Sequence, residues 1–370
     1  MTTAYSGDGI TFPDNSVQAT APRVGMVNRI INGDMRIDQR NAGAAVTNSG
    51  DFVIDRWKME NGTDATISYQ QSSVAPAGFP NSIAVTISSG DASIGATQYA
   101  SVRQTIEGYN IADLGFGTAN AKTVTLSFWV RSSITGTLSG TLRGSSNGQF
   151  YPYTYTVLSA NTWEYKTVTI AGSTTGTWGS TNNEGLRVYF TLAAGSTYSE
   201  TAGAWTATTC LGATGATNIA ETTGATFYVT GVQLEKGSTA TDFEYVDYSR
   251  QVQQCQRFFA KSYSANTVPG TSTGASCLSL RNWDTSGRTQ VPTPTRYPVT
   301  MRATPVLTLY SINGTAGNVS EAGASDTNTA LRAVVTVEGQ GENGFSGVDL
   351  SVSITGLQFY NWHYAASAEL

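Results

Sequence analysis

Charge is scarce in this chain. Of 370 residues only 21 are Lys or Arg and 26 are Asp or Glu, 13% in all, about half the ~25% usual for a globular domain. The balance is −5 at neutral pH, so no basic field exists to gather phosphate backbones, and neither nucleic acid nor a membrane surface is an expected partner. A single histidine, His363, removes His-rich zinc sites and HExxH helices, because those need several imidazoles. The cysteines are three, Cys210, Cys255 and Cys277, with no CxxC among them, and they read as ordinary thiols rather than a disulfide framework. The reading predicts no metal and no cofactor. No stretch reaches the ~18 apolar residues of a membrane span, and MTTAYSGDG lacks the basic and apolar regions of a leader. Cytoplasmic synthesis and no membrane insertion are therefore expected.

What the chain has in plenty is alternation. In KTVTLSFWVR, Val124, Leu126, Phe128 and Val130 share one face, while Thr125, Ser127, Trp129 and Arg131 share the other. Ile83, Val85 and Ile87 alternate in NSIAVTISS, as do Leu186, Val188, Phe190 and Leu192 in GLRVYFTL. Further strands are predicted at WEYKTVTI and TFYVTGVQL. Period two broken by Gly, Asn and Ser clusters is the pattern of short antiparallel strands. Residues 27–245 are predicted to form a two-sheet jelly-roll sandwich.

Residues 246–262 break the pattern. Tyr245, Tyr248, Val252, Cys255 and Phe259 form a 3-4-3-4 stripe that Asp247 could cap as a helix. The stripe could pack on its own chain or gather copies around an axis. Residues 263–370 are a second β region, a predicted C-terminal sandwich, in which Pro292, Pro294, Pro298 and Pro305 confine VPTPTRYPVTMRATP to edges and turns. In GVDLSVSITGLQF the apolar parity switches after Ile354, which predicts a bulge near Gly356, and SINGTAGNVSEAGASDTNTA reads as long exposed loops. Residues 1–26 hold one hairpin around Pro13, Asp14 and Asn15, too small to fold without a partner surface.

Several blocks resemble bacteriophage tail-fibre and receptor-binding proteins: GITFPDNSVQATA, NRIINGDMRIDQRNAG, DFVIDRWK, VTGVQLEKGSTATDFEYVDYSRQVQQCQRFFAKSY, PVTMRATPVLTL and the terminal AEL. That resemblance implies a homotrimeric fibre on the virion. Its N-terminal segment would attach to an adjoining tail or baseplate protein, and its tip would adsorb to a host surface polysaccharide, lipopolysaccharide or other receptor. It implies attachment rather than an enzyme; the alternatives are a polysaccharide-degrading tail spike and a purely structural fibre segment. The middle region also resembles jelly-roll carbohydrate-binding modules, with Asn28, Asn32, Gly33 and Asp34 at its start and Tyr228, Thr230, Gly231, Val232 and Leu234 at its end. Thr230 and Gly231 stand where those modules place carboxylates for structural Ca²⁺, so no ion is expected there.

Glycan binding needs flat ring faces for sugar C–H patches, with amides or carboxylates nearby for hydroxyls. The candidates are Tyr151, Tyr153 and Tyr155 in FYPYTYT, Trp178 in TTGTWGSTNN, Tyr198 and Trp205 in YSETAGAWTATT, and Trp283 in LRNWDTSGR. For each, packing competes with a sugar platform. Asp55 with Arg56, and Asp38 with Arg40, read as satisfied structural ion pairs. Cleavage would need two carboxylates about 5 to 9.5 Å apart, for which Glu107, Asp113, Glu184, Glu200 and Glu221 are available.

Overall fold

The alternating rows become core. Val124, Leu126, Phe128, Val130, Ile83, Val85, Ile87, Leu186, Val188, Phe190 and Leu192 are all fully buried, since alternate strand residues share a face and the apolar face leaves water. Each such side chain contributes about 1.5–3 kcal/mol. The computed structural model describes residues 26–145, 148–282, 288–322, 328–353 and 358–370, and the backbone of three short strands near the N-terminus.

Those three, β1 (Ala4–Ser6), β2 (Gly9–Thr11) and β3 (Val17–Gln18), pair antiparallel. Ile10 sits opposite Gln18 and Thr11 opposite Val17, which is the hairpin expected; its turn lies outside the described residues.

The middle region contains β4 (Phe52–Ile54), β5 (Trp57–Asn61), β6 (Thr66–Ser72), β7 (Ser82–Ser89), β8 (Tyr99–Glu107), β9 (Val124–Ser132) and β10 (Gly136–Gly144). It continues with β11 (Phe150–Val157), β12 (Glu164–Ile170), β13 (Glu184–Ala194), β14 (Ser199–Glu200), β15 (Gly212–Ala213) and β16 (Thr226–Lys236). Two antiparallel sheets result, ordered β11-β10-β13-β8-β5-β4 and β12-β9-β16-β7-β6. They close face to face as a jelly-roll sandwich: Phe128 from the five-stranded sheet meets Phe190 from the six-stranded one edge-on, with ring centroids 4.9 Å apart.

The helix α1 spans Tyr248–Gln256, and the Asp247 side chain accepts from the backbone N–H groups of Ser249 and Arg250 as an N-cap. Only the later half of the stripe reaches the apolar cluster at the junction: Cys255 is buried beside Ile31, Ile37 and Phe258, whereas Tyr245 and Tyr248 keep more than half of their surface exposed. Phe259 has left the helix and begins β17 (Phe259–Lys261).

The C-terminal region has its own core and adds β18 (Leu278–Asn282), β19 (Gln290–Arg296), β20 (Val306–Ser311), β21 (Asn318–Ala322), β22 (Asn328–Glu338), β23 (Gly344–Leu350) and β24 (Gln358–Ser367). Strand β24 pairs with β17, β18, β20 and β21. Pro292 and Pro294 lie on β19, an edge strand, because proline has no N–H to give a ladder. Two expectations are corrected. NVSEA is a largely buried strand, β21, not an exposed loop. The parity switch marks a change of strand, from β23 ending at Leu350 to β24 starting at Gln358; Gly356 itself lies outside the described residues.

Candidate functional site

The rings nominated by sequence scatter. Tyr151, Tyr153 and Tyr155 point into the sandwich core, and the Tyr153 hydroxyl donates to the Tyr189 carbonyl at 2.7 Å. They are core residues and not sugar platforms, because the apolar side of β11 faces the opposite sheet. Trp178 and Trp205 are half-buried and pack against Phe116, with their indole N–H groups given to the carbonyls of Thr175 and Ala171. Tyr198 lies elsewhere, edge-on to Tyr99 at 5.2 Å. Trp283 is outside the described residues.

Segments from residues 28–43, 51–58, 229–263 and 298–309 and the C-terminal Glu369 converge instead around the junction between the two cores. The Asn28 side chain donates to the Val232 carbonyl and accepts from the N–H groups of Ile30 and Leu234. Gln251 donates to Asp34, and Gln39 donates to Asp55 and to the Phe259 carbonyl. Arg40 and Arg56 both pair with Glu369 near the C-terminus and stack on Phe259 and Phe258. Arg302 donates to the carbonyls of Ala368, Glu369 and Asn182. Asp55 and Arg56 are thus structural, as expected, yet they do not pair with each other. Asp38 accepts from the backbone N–H groups of Arg40, Asn41 and Gly43 rather than from the Arg40 guanidinium. Burial pushes the Asp55 carboxyl up, with Arg40 and Gln39 opposing.

Most carboxylates considered for cleavage are held in protein contacts. Glu107 takes a two-pronged bond from Arg257, Asp113 pairs with Arg29 and Lys236, Glu184 pairs with Arg187, and Glu221 accepts from Asn218. Glu200 lies in β14. His363 is fully buried and stacked on Tyr263 at 3.9 Å. Its Nε2 faces the Thr273 carbonyl at 3.0 Å, so that nitrogen carries the proton, and Nδ1 accepts from the Ser262 hydroxyl at 3.2 Å.

The ring-lined site lies on the outer face of the five-stranded sheet. Trp129 of β9 stands opposite Tyr165 of β12, their rings 5.4 Å apart, and opposite Thr230 of β16. After Thr230 the register slips, and Gly231 takes φ +60°, a conformation glycine adopts without cost. A Cβ there would come within 2.8 Å of the Phe79 ring and 3.1 Å of the Trp129 ring, so the missing side chain keeps the floor open. Across it Phe79, Phe243 and Tyr245 pack mutually, with centroids 5.0 to 5.6 Å apart.

That second wall is anchored from below. Glu235, fully buried, accepts from the Thr241 N–H and hydroxyl, each at 2.7 Å. Gln233 accepts from the Glu244 N–H and donates to the Asp242 carbonyl. The cleft encloses about 690 Å³, and Ser127, Thr241 and Asp242 add polar groups to its rings. Tyr165 and Tyr245 are 44% and 57% exposed, so both walls offer ring surface to a ligand. A Trp on the polar side of β9 was the legible signal; Phe79 and Phe243 lie in loops that only the fold brings together.

No protein-family profile matches the chain, and no curated protein does. Solved structures similar to it in fold include the enzymatically active domain of tailspike protein 4 of bacteriophage CBA120, 14% identical with a TM-score of 0.32 over 57% of this chain. The match spans 22% of that tailspike chain. A CBM4 structure is 16% identical with a TM-score of 0.32, covering 56% of this chain and 98% of its own. The family 11 carbohydrate-binding module of a cellulosomal cellulase of Clostridium thermocellum is 15% identical with a TM-score of 0.28, covering 54% and 98%.

Proposed function

We propose that the chain is an attachment protein that binds a glycan in the cleft between Trp129–Tyr165 and Phe79–Phe243–Tyr245, without cleaving it. The observation that carries this reading is the five-ring cleft itself, held open by Gly231 and walled by a loop fastened to buried Glu235 and Gln233. Ring faces take up the C–H patches of a sugar, while Asp242, Thr241 and Ser127 offer partners to its hydroxyls. The resemblance of the blocks at the junction supports a place on a phage tail fibre. In that setting the chain acts as a homotrimer attached through residues 1–26, and three weak sites reinforce one another on a repetitive surface.

The test is binding to a panel of bacterial surface polysaccharides and defined oligosaccharides. Trp129→Ala is expected to weaken binding about tenfold to a hundredfold, the equivalent of losing a buried aromatic contact of ~1.5–3 kcal/mol, with the melting temperature nearly unchanged. A Trp129→Ala protein that binds like wild type removes the cleft from the function, and new reducing ends during incubation would show cleavage.

A further inference from the structure

Resting on the glycan reading, we infer that the cleft selects a ligand bearing an ammonium group, an amino sugar or an alkylammonium substituent, over acidic sugars. Among the described residues, Asp242 is the one charged side chain that lines the cleft. Asp242 is exposed at the cleft, and its carboxylate has no ion-pair or hydrogen-bond partner among the described residues. Glu235 lies buried beneath the same loop with its carboxylate taken up by protein groups, Thr241 and Gln233 among them, so Asp242 is the carboxylate that faces the cleft. Among the described residues no Lys or Arg lines the cleft.

A guanidinium on this sheet face belongs to Arg131, two residues beyond Trp129 on β9. It is committed to the Tyr228 ring at 5.1 Å and to the Asn161 carbonyl at 2.9 Å. On the loop side, Arg36 pairs with Asp34 and donates to the Val246 carbonyl.

A ring face is negative at its centre and attracts a cation within about 6 Å, more strongly once water is displaced. A carboxylate beside such faces adds direct Coulomb attraction. Together they favour an ammonium and disfavour the carboxylates and phosphates of acidic polysaccharides. The hydroxyl-binding groups already described would serve the rest of the sugar.

Binding of the full chain to glucosamine oligomers, to N-acetylated oligomers of equal length and to galacturonate oligomers would test this, at a pH where the amine is protonated. The amine is expected to bind at least about tenfold tighter than the N-acetylated form, galacturonate weakest, with the preference shrinking as salt rises. Asp242→Asn is expected to lower affinity for the amine about tenfold more than affinity for its N-acetylated counterpart. Choline chloride added as competitor separates the sources: displacement supports an alkylammonium substituent, and its absence with retained amine preference supports an amino sugar. Equal or tighter binding of the acidic oligomer would overturn the inference and leave the glycan reading standing. Failure of every oligosaccharide to bind, with Trp129→Ala changing nothing, would instead overturn the glycan reading.

Discussion

His363 shows how burial sets the behaviour of the only imidazole in the chain. Its stacking on Tyr263 and its bonds to Thr273 and Ser262 suit the neutral ring, and burial lowers its pKa below the ordinary 6.5. As pH falls below 6.5 the unfolded chain therefore binds more protons than the native one, so this contribution is present above that value and is lost as pH falls from it through the lower native pKa. The C-terminal region should melt at progressively lower temperature as the buffer is taken from neutral to acidic. His363→Gln, which keeps a donor for the Thr273 carbonyl, should flatten that slope, because each tenfold difference in proton affinity between native and unfolded chain is worth about 1.4 kcal/mol. An unchanged slope would place the pH dependence elsewhere. The aromatic neighbours in FYNWHYAASAEL already favour a structural histidine; its burial and its two bonds show how it is packed.

Strand β16 joins the core to the cleft. Its inward residues Phe227, Val229, Val232 and Leu234 are buried, with the slip at Gly231–Val232 re-aiming the strand as bulges do. Gly231→Val would impose a left-handed conformation on a branched residue, at roughly 1–2 kcal/mol, and would drive its side chain into Phe79 and Trp129. The expected outcome is a folded sandwich by circular dichroism with the cleft closed and glycan binding lost; retained binding would show that the ligand does not use the floor. The alternation of β7, β9 and β13 was readable because a half-buried strand must alternate. Strand β21 was not, since NVSEA is short, polar and bounded by glycine, and becomes buried only because β22 and β24 flank it.

Across the whole molecule, Glu369 fastens the C-terminal region to the sandwich by accepting Arg40 and Arg56, both strongly shielded from solvent. Removing one partner of a buried ion pair costs about 3–5 kcal/mol because the remaining charge is left uncompensated. Glu369→Ala should therefore lower the melting temperature and split unfolding into two calorimetric transitions, one per core; a single unshifted transition would show that the junction does not couple them. Segments within residues 28–43, 51–58, 229–263 and 298–309 form this weld, which their scatter along the chain concealed. Strand faces, the Asp247 cap and the edge position of β19 follow from local chemistry, since alternation, an N-terminal acceptor and a missing N–H act within a few residues. The fate of each aromatic does not: Tyr153 is core and Tyr165 is cleft although both sit in polar-apolar strands, because burial is decided by which sheet face meets the other sheet. The cleft unites Phe79, Trp129, Tyr165 and Phe243 from distant segments, and only chain folding could bring those rings over one glycine.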